Sequence, residues 1–142
     1  MSVRSRFITA VLSAGVLATT LMAAAAQHEA AALRGEWSVT QMAGTAVAND
    51  AGVTIRFDDA GGVSGRGACN RYTGGYEVAP DRLTIGPLAM TRMACTGDRM
   101  AIETAFSEAI GNVAHGTVVD AGVLTLSDAE GRALIVAEPA AD

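Results

Sequence analysis

The chain has 142 residues, with ten arginines, no lysine and fifteen acidic residues, for a net charge of −5. That length sets one domain, and the acidic balance excludes nucleic acid or a negatively charged lipid surface as the general partner. Two cysteines, Cys69 and Cys95, and two histidines, His28 and His115, limit the metal and nucleophile chemistry open to it.

The first 26 residues read as a secretory signal peptide. Arg4 and Arg6 give a charged start, Phe7–Ala26 is apolar or small and uncharged, and Ala24-Ala25-Ala26 offers an A-x-A cleavage site. Cleavage leaves 116 residues and, with both signal arginines gone, a charge of −7. The protein is then expected to be periplasmic or secreted, a monomer with no stable membrane insertion. The alternative is an inner-membrane protein anchored by an uncleaved signal, since about 20 apolar residues can span a bilayer. Export would allow Cys69 and Cys95, the two thiols of the chain, to pair as a lasting disulfide.

Residues 27–32 read as a short leader, and the domain as residues 33–137. Glu36–Met42 alternates, with Trp37 and Val39 on one face, as a half-buried strand does. Ala43–Gly52 is a turn-rich connector. Val53–Phe57 alternates with Val53, Ile55 and Phe57 inward, Asp58–Gly62 is a hairpin turn, and Val63–Gly67 returns. Gly74–Val78 and Leu83–Ile85 follow, separated by Ala79–Arg82.

Helical spacing appears once. Asp98 is placed as N-cap, Ile102, Ala105, Phe106 and Ala109 form a stripe, and Gly111 suits the C′ position. Glu103 and Glu108 fall off that stripe. Val113–Val119, Val123–Ser127 and Arg132–Ala137 are further strands, with a turn at Asp120–Gly122 and a polar tail over residues 138–142. Seven or eight short strands with one inserted helix predict a mainly β fold, a small antiparallel barrel or sandwich.

Catalytic patterns are sparse. His115 lies in a strand-like run without a nearby serine elbow, and the cysteine and histidine spacings match no zinc motif. No catalytic residue, metal site or cofactor is therefore assigned. Met90, Met93 and Met100 surround the second cysteine. They suit core packing under a loop better than a soft-metal or apolar-ligand site.

Two segments carry a specific signal. Gly65–Tyr76, G-R-G-A-C-N-R-Y-T-G-G-Y, holds Cys69 and both tyrosines, and Ala89–Cys95 reads A-M-T-R-M-A-C. Together with the opening G-E-W and the late L-T-L-S-D, they resemble the META domain family, the HslJ-like proteins, over about Leu33–Ala137. The resemblance implies a compact antiparallel β fold with one helix, often exported and associated with stress tolerance, without an established catalytic activity. A lipoprotein cysteine near the cleavage point is lacking, which favours a soluble exported form. The expected function is a non-enzymatic, stress-related envelope module that binds a protein or other envelope component. Asn70, Arg71, Tyr72, Thr91 and Arg92 would form its recognition surface or fix the turns around the cross-link. Alternatives are a carrier of a small apolar ligand in the barrel interior and a secreted enzyme.

Overall fold

A computed structural model describes residues 14–119 and 122–141; the start of the expected signal peptide and the tip of the 120–122 turn lie outside them. The domain is built from β1 (Gly35–Met42), β2 (Thr45–Ala46), β3 (Thr54–Phe57), β4 (Gly62–Arg66), β5 (Arg71–Ala79), β6 (Arg82–Ile85), β7 (Ala89–Met90), β8 (His115–Val119), β9 (Val123–Ser127) and β10 (Ala133–Pro139). Helix α1 (Ala14–Leu33) precedes them, and α2 (Arg99–Gly111) lies between β7 and β8.

Eight strands run in the order β6-β5-β4-β3-β1-β10-β9-β8, each antiparallel to its neighbours. β2 adds to β1, and β7 adds to β5. The Leu83 amide donates to Ala114 O at 2.8 Å, so the end strands approach and the sheet nearly closes into a barrel. Closure follows from the alternation read in the sequence: each strand has one apolar face, and curling the sheet turns all of them onto one axis. Trp37, Val39, Ile55, Phe57, Val63, Leu83, Leu124, Leu126, Ile135 and Ala137 are buried there. Full burial of such side chains is worth about 1.5–3 kcal/mol each.

Several local expectations change. The connector at 43–52 contains β2 and a 3-10 turn at Asn49–Ala51. The tail begins later, because β10 runs on to Pro139 and pairs Glu138 with Ser38. A second helix exists: α1 covers the leader and continues back into the segment read as the apolar part of the signal. Its Ala-rich sequence has helix propensity but no amphipathic period to reveal it. Its end is tied to the barrel, with Leu33 buried against Leu83, Leu126 and Gly116, and the Trp37 indole N–H donating to Leu33 O at 2.8 Å. No helix among the described residues is long and apolar enough to cross a membrane.

Helix α2 starts after the expected N-cap residue, Asp98, but without its side-chain bond, and stops one residue later than expected. Asp98 is itself in the helical region and its side chain makes no cap bond; its carbonyl accepts from Ile102 N at 3.0 Å. At the far end Gly111 is helical, and the Asn112 side chain donates from Nδ2 to Glu108 O at 2.8 Å in place of a glycine cap.

The β9–β10 turn is held by Asp128. Its Oδ1 accepts from Glu130 N at 3.1 Å and Arg132 N at 2.9 Å, and its Oδ2 pairs with Arg132 Nε at 2.7 Å. Partial burial pushes the Asp128 carboxyl up, but the Arg132 backbone N–H and guanidinium with the Glu130 N–H outweigh it, leaving it below the usual carboxylate range. A carboxyl depressed by folding stabilises above its unfolded value, and the contribution fades as pH falls through the folded one. The urea midpoint should therefore fall between pH 6 and pH 3, and Asp128→Asn should shrink that difference.

Candidate functional site

The two cysteine segments meet at one end of α2. Cys69 and Cys95 form a disulfide with Cα atoms 6.0 Å apart. Between β4 and β5 the chain makes a narrow turn over Gly67–Asn70, closed by the Gly67 amide donating to Asn70 O at 2.9 Å. Ala68 takes φ +81°, a left-handed conformation costly for a side-chain-bearing residue. The glycine beside it serves close approach instead: a Cβ on Gly67 would lie 3.0 Å from the Phe106 ring and 3.1 Å from Glu103 Oε2. Arg99 Nη1 fixes the strained turn from outside by donating to Ala68 O at 2.9 Å.

Glu103 holds the turn from within. Its Oε2 accepts from the successive amides of Cys69 at 2.9 Å and Asn70 at 3.1 Å. Two adjacent N–H groups converging on one carboxylate oxygen make a small backbone nest, occupied here by a side chain. Glu103 is buried, and its Oε1 has no hydrogen-bond partner among the described residues. The buried face of α2 is thus Glu103, Phe106, Ala109 and Ile110, with Ala105 exposed and Ile102 half-buried. The expected stripe is rotated, and the glutamate set aside as surface is the residue that organises the hub. The signal was present, since Glu103, Phe106 and Ile110 keep helical spacing, but a charged residue is seldom counted in a core face.

Asn70 joins the second segment. Its Oδ1 accepts from Met93 N at 2.7 Å and Thr91 Oγ1 at 2.9 Å, and its Nδ2 donates to Met93 O at 3.3 Å. Thr91 Oγ1 also accepts from Arg71 N at 3.1 Å, and Thr91 N donates to Arg71 O at 3.0 Å. One amide side chain therefore continues the pairing that β5 and β7 begin.

Of the five residues expected on a recognition surface, Asn70 and Tyr72 are buried and bond inward. The Tyr72 hydroxyl donates to Thr54 O at 2.8 Å, its ring lies 5.2 Å from that of Phe106, and burial pushes its phenol well above the usual range. Thr91, Arg71 and Arg92 are exposed, but the two arginines line different hollows. Arg92 borders one of about 550 Å³ with Leu88, Met90, Met93, Met100 and Ser107. Met93 and Met100 are 54% and 40% exposed there, so they do not pack the core as expected; Met90 is half-buried. Arg71 borders a hollow of about 380 Å³ on the outer face of β1, β3, β4 and β5. A further apolar hollow of about 620 Å³ lies between α2 and the β1–β2 turn. His115, the strand histidine, sits half-buried in β8 away from the cross-link and lines a hollow with Leu33 and Leu83.

A family model described as META domain matches residues 30–141. Among solved structures, an NMR structure of a protein from Burkholderia xenovorans is similar, with TM-score 0.62 and 26% identity, covering 81% of this chain and 88% of that one. A second NMR structure aligns with TM-score 0.57 and 27% identity over 74% of this chain and 89% of that one. The crystal structure of a DUF4847 family protein from Bacteroides vulgatus ATCC 8482 shares the fold at TM-score 0.59 and 16% identity, covering 81% and 99%. No curated protein matches the chain.

Proposed function

Because the chain belongs to the META domain family, we propose that it is an exported, non-enzymatic interaction module of the cell envelope, with a role in stress. The observation that carries this reading is the division of labour at the hub. Polar groups that could do chemistry, Asn70, Thr91 and the Glu103 Oε2, are spent on backbone groups and on one another. The residues left outward, Arg92, Met93 and Met100, combine a charge with flexible apolar side chains around an open hollow. Methionine adapts its shape to a partner at little cost, and a disulfide beneath keeps the surface from spreading. The filled barrel interior favours this reading over a carrier that holds its ligand inside.

The test is site-specific photo-crosslinking in cells that express the full chain. A crosslinker at Met93 should give one discrete envelope product, and one at exposed Glu77 on β5 should not. With the crosslinker kept at position 93, Arg92→Gln with Met100→Glu should remove the product while the melting temperature stays within about 2 °C, as befits exposed positions. The chain recovered from the periplasm or medium should begin at Gln27. Equal products at both positions, or a cytoplasmic chain starting at Met1, would overturn the reading.

A further inference from the structure

A second hollow, lined by residues other than those of the hub hollow, carries a separate inference. On the outer face of the sheet, Arg66 stands directly across from Arg71, and Arg56 stands across from Ser64. Side chains two apart on a strand share a face, so Arg56 and Arg66 are diagonal neighbours across β3 and β4. All three line the same hollow of about 380 Å³, together with Thr54, Ser64 and Glu36.

None of the three guanidinium groups has a carboxylate partner. Among the described residues the ion pairs are those of Arg132 with Asp128 and Glu130. Glu36 is across from Arg56 in the register but makes no ion pair with it. Like charges directly opposite on paired strands oppose each other, and a chain with fifteen acidic residues has nonetheless left these arginines uncompensated. Three arginines and one glutamate give the hollow a local charge of +2 inside an acidic protein.

We propose that this face is an oxyanion site for a small phosphate monoester. The charge matches: a phosphate monoester carries about −1.5 to −2 at neutral pH and offers three acceptor oxygens. Guanidinium forks pair with phosphate oxygens through two parallel bonds, and the Ser64 hydroxyl can add a donor. The volume exceeds what the phosphate alone needs and falls in the range of small-ligand sites, so part of the organic body is held as well. The acidic remainder of the chain repels an extended anionic membrane, which favours a soluble ligand over a phospholipid headgroup.

The test uses the full chain and three probes: inorganic phosphate, glycerol phosphate, and vesicles of phosphatidylglycerol in phosphatidylcholine. Titration followed by amide and arginine side-chain NMR shifts should show saturable binding of glycerol phosphate, centred on Arg56, Arg66 and Arg71 and tighter than inorganic phosphate. Arg66→Gln with Arg71→Gln should weaken it at least about tenfold, the loss of two charge-assisted contacts. Glu36→Gln, which removes the opposing charge, should tighten it, and Arg92→Gln should leave it unchanged. These positions are exposed, and circular dichroism of each variant should match that of the wild type. Absence of saturable shifts, an unchanged affinity in the double variant, an equal loss in Arg92→Gln, or binding confined to the vesicles would each overturn the proposal. Its failure would leave the hub crosslinking result untouched.

Discussion

Replacing Cys69 and Cys95 together with alanine is expected to cost about 3.5 kcal/mol of stability, the chain-entropy value for a loop of this length. The expected fall in melting temperature is about 15 °C for a domain of this size. The weight comes from the unfolded chain, whose freedom the cross-link restricts; in the folded chain it also ties down an irregular segment. Residues 91–95 form no strand beyond the two residues of β7. They hang from Asn70, from the backbone of Arg71 and from the disulfide. Differential scanning calorimetry of the oxidised wild type and the double variant measures the effect directly. A shift under about 4 °C would mean that the Asn70 bonds hold the segment without help. A thiol titration of the unfolded wild type should find no free thiol.

Glu103→Ala should cost about 3 kcal/mol, although the residue is charged and lies on a helix. Truncation leaves the Cys69 and Asn70 amides buried without an acceptor, and unsatisfied buried donors cost about 1–3 kcal/mol each. Glu103→Gln keeps an acceptor and should cost about half as much, because bonds to an ionised acceptor are roughly twice as strong as neutral ones. Combining Glu103→Ala with the cysteine double variant tests whether the hub acts as a unit. Both changes release the same Ala68–Asn70 turn, so their sum should exceed the combined effect by about 1 kcal/mol or more. Strict additivity in urea unfolding would show that carboxylate and disulfide support the turn independently.

Much of the barrel was legible because strand alternation is a local consequence of burying one face. Trp37 with Val39, the Val53-Ile55-Phe57 run, and Leu124 with Leu126 each announce an inner face without reference to any other strand. The helix was legible in extent for the same reason. Its start was legible too, since Asp98 is the N-cap residue although its side chain makes no cap bond; its stop was not, because Gly111 is helical and the C-cap place falls to Asn112. The Cys69–Cys95 pair needed no geometry either, since two thiols in a chain expected to be exported leave one pairing.

The opening arginines, the apolar run and the small-residue exit are properties of the linear chain, so the sequence by itself supports the expectation of export; the two motif segments likewise point to the META family. Tertiary structure alone decided what those motifs do. Asn70 turned inward because its side chain matches the backbone of Met93, 23 residues away, and the Thr91 hydroxyl, and Glu103 was drawn into the core by amides 33 and 34 residues distant. Arg56, Arg66 and Arg71 became neighbours only through the β3–β4 and β4–β5 registers. Local periodicity tells which face a residue takes, but a partner is fixed only when distant segments pair, and the roles in this site all depend on such partners.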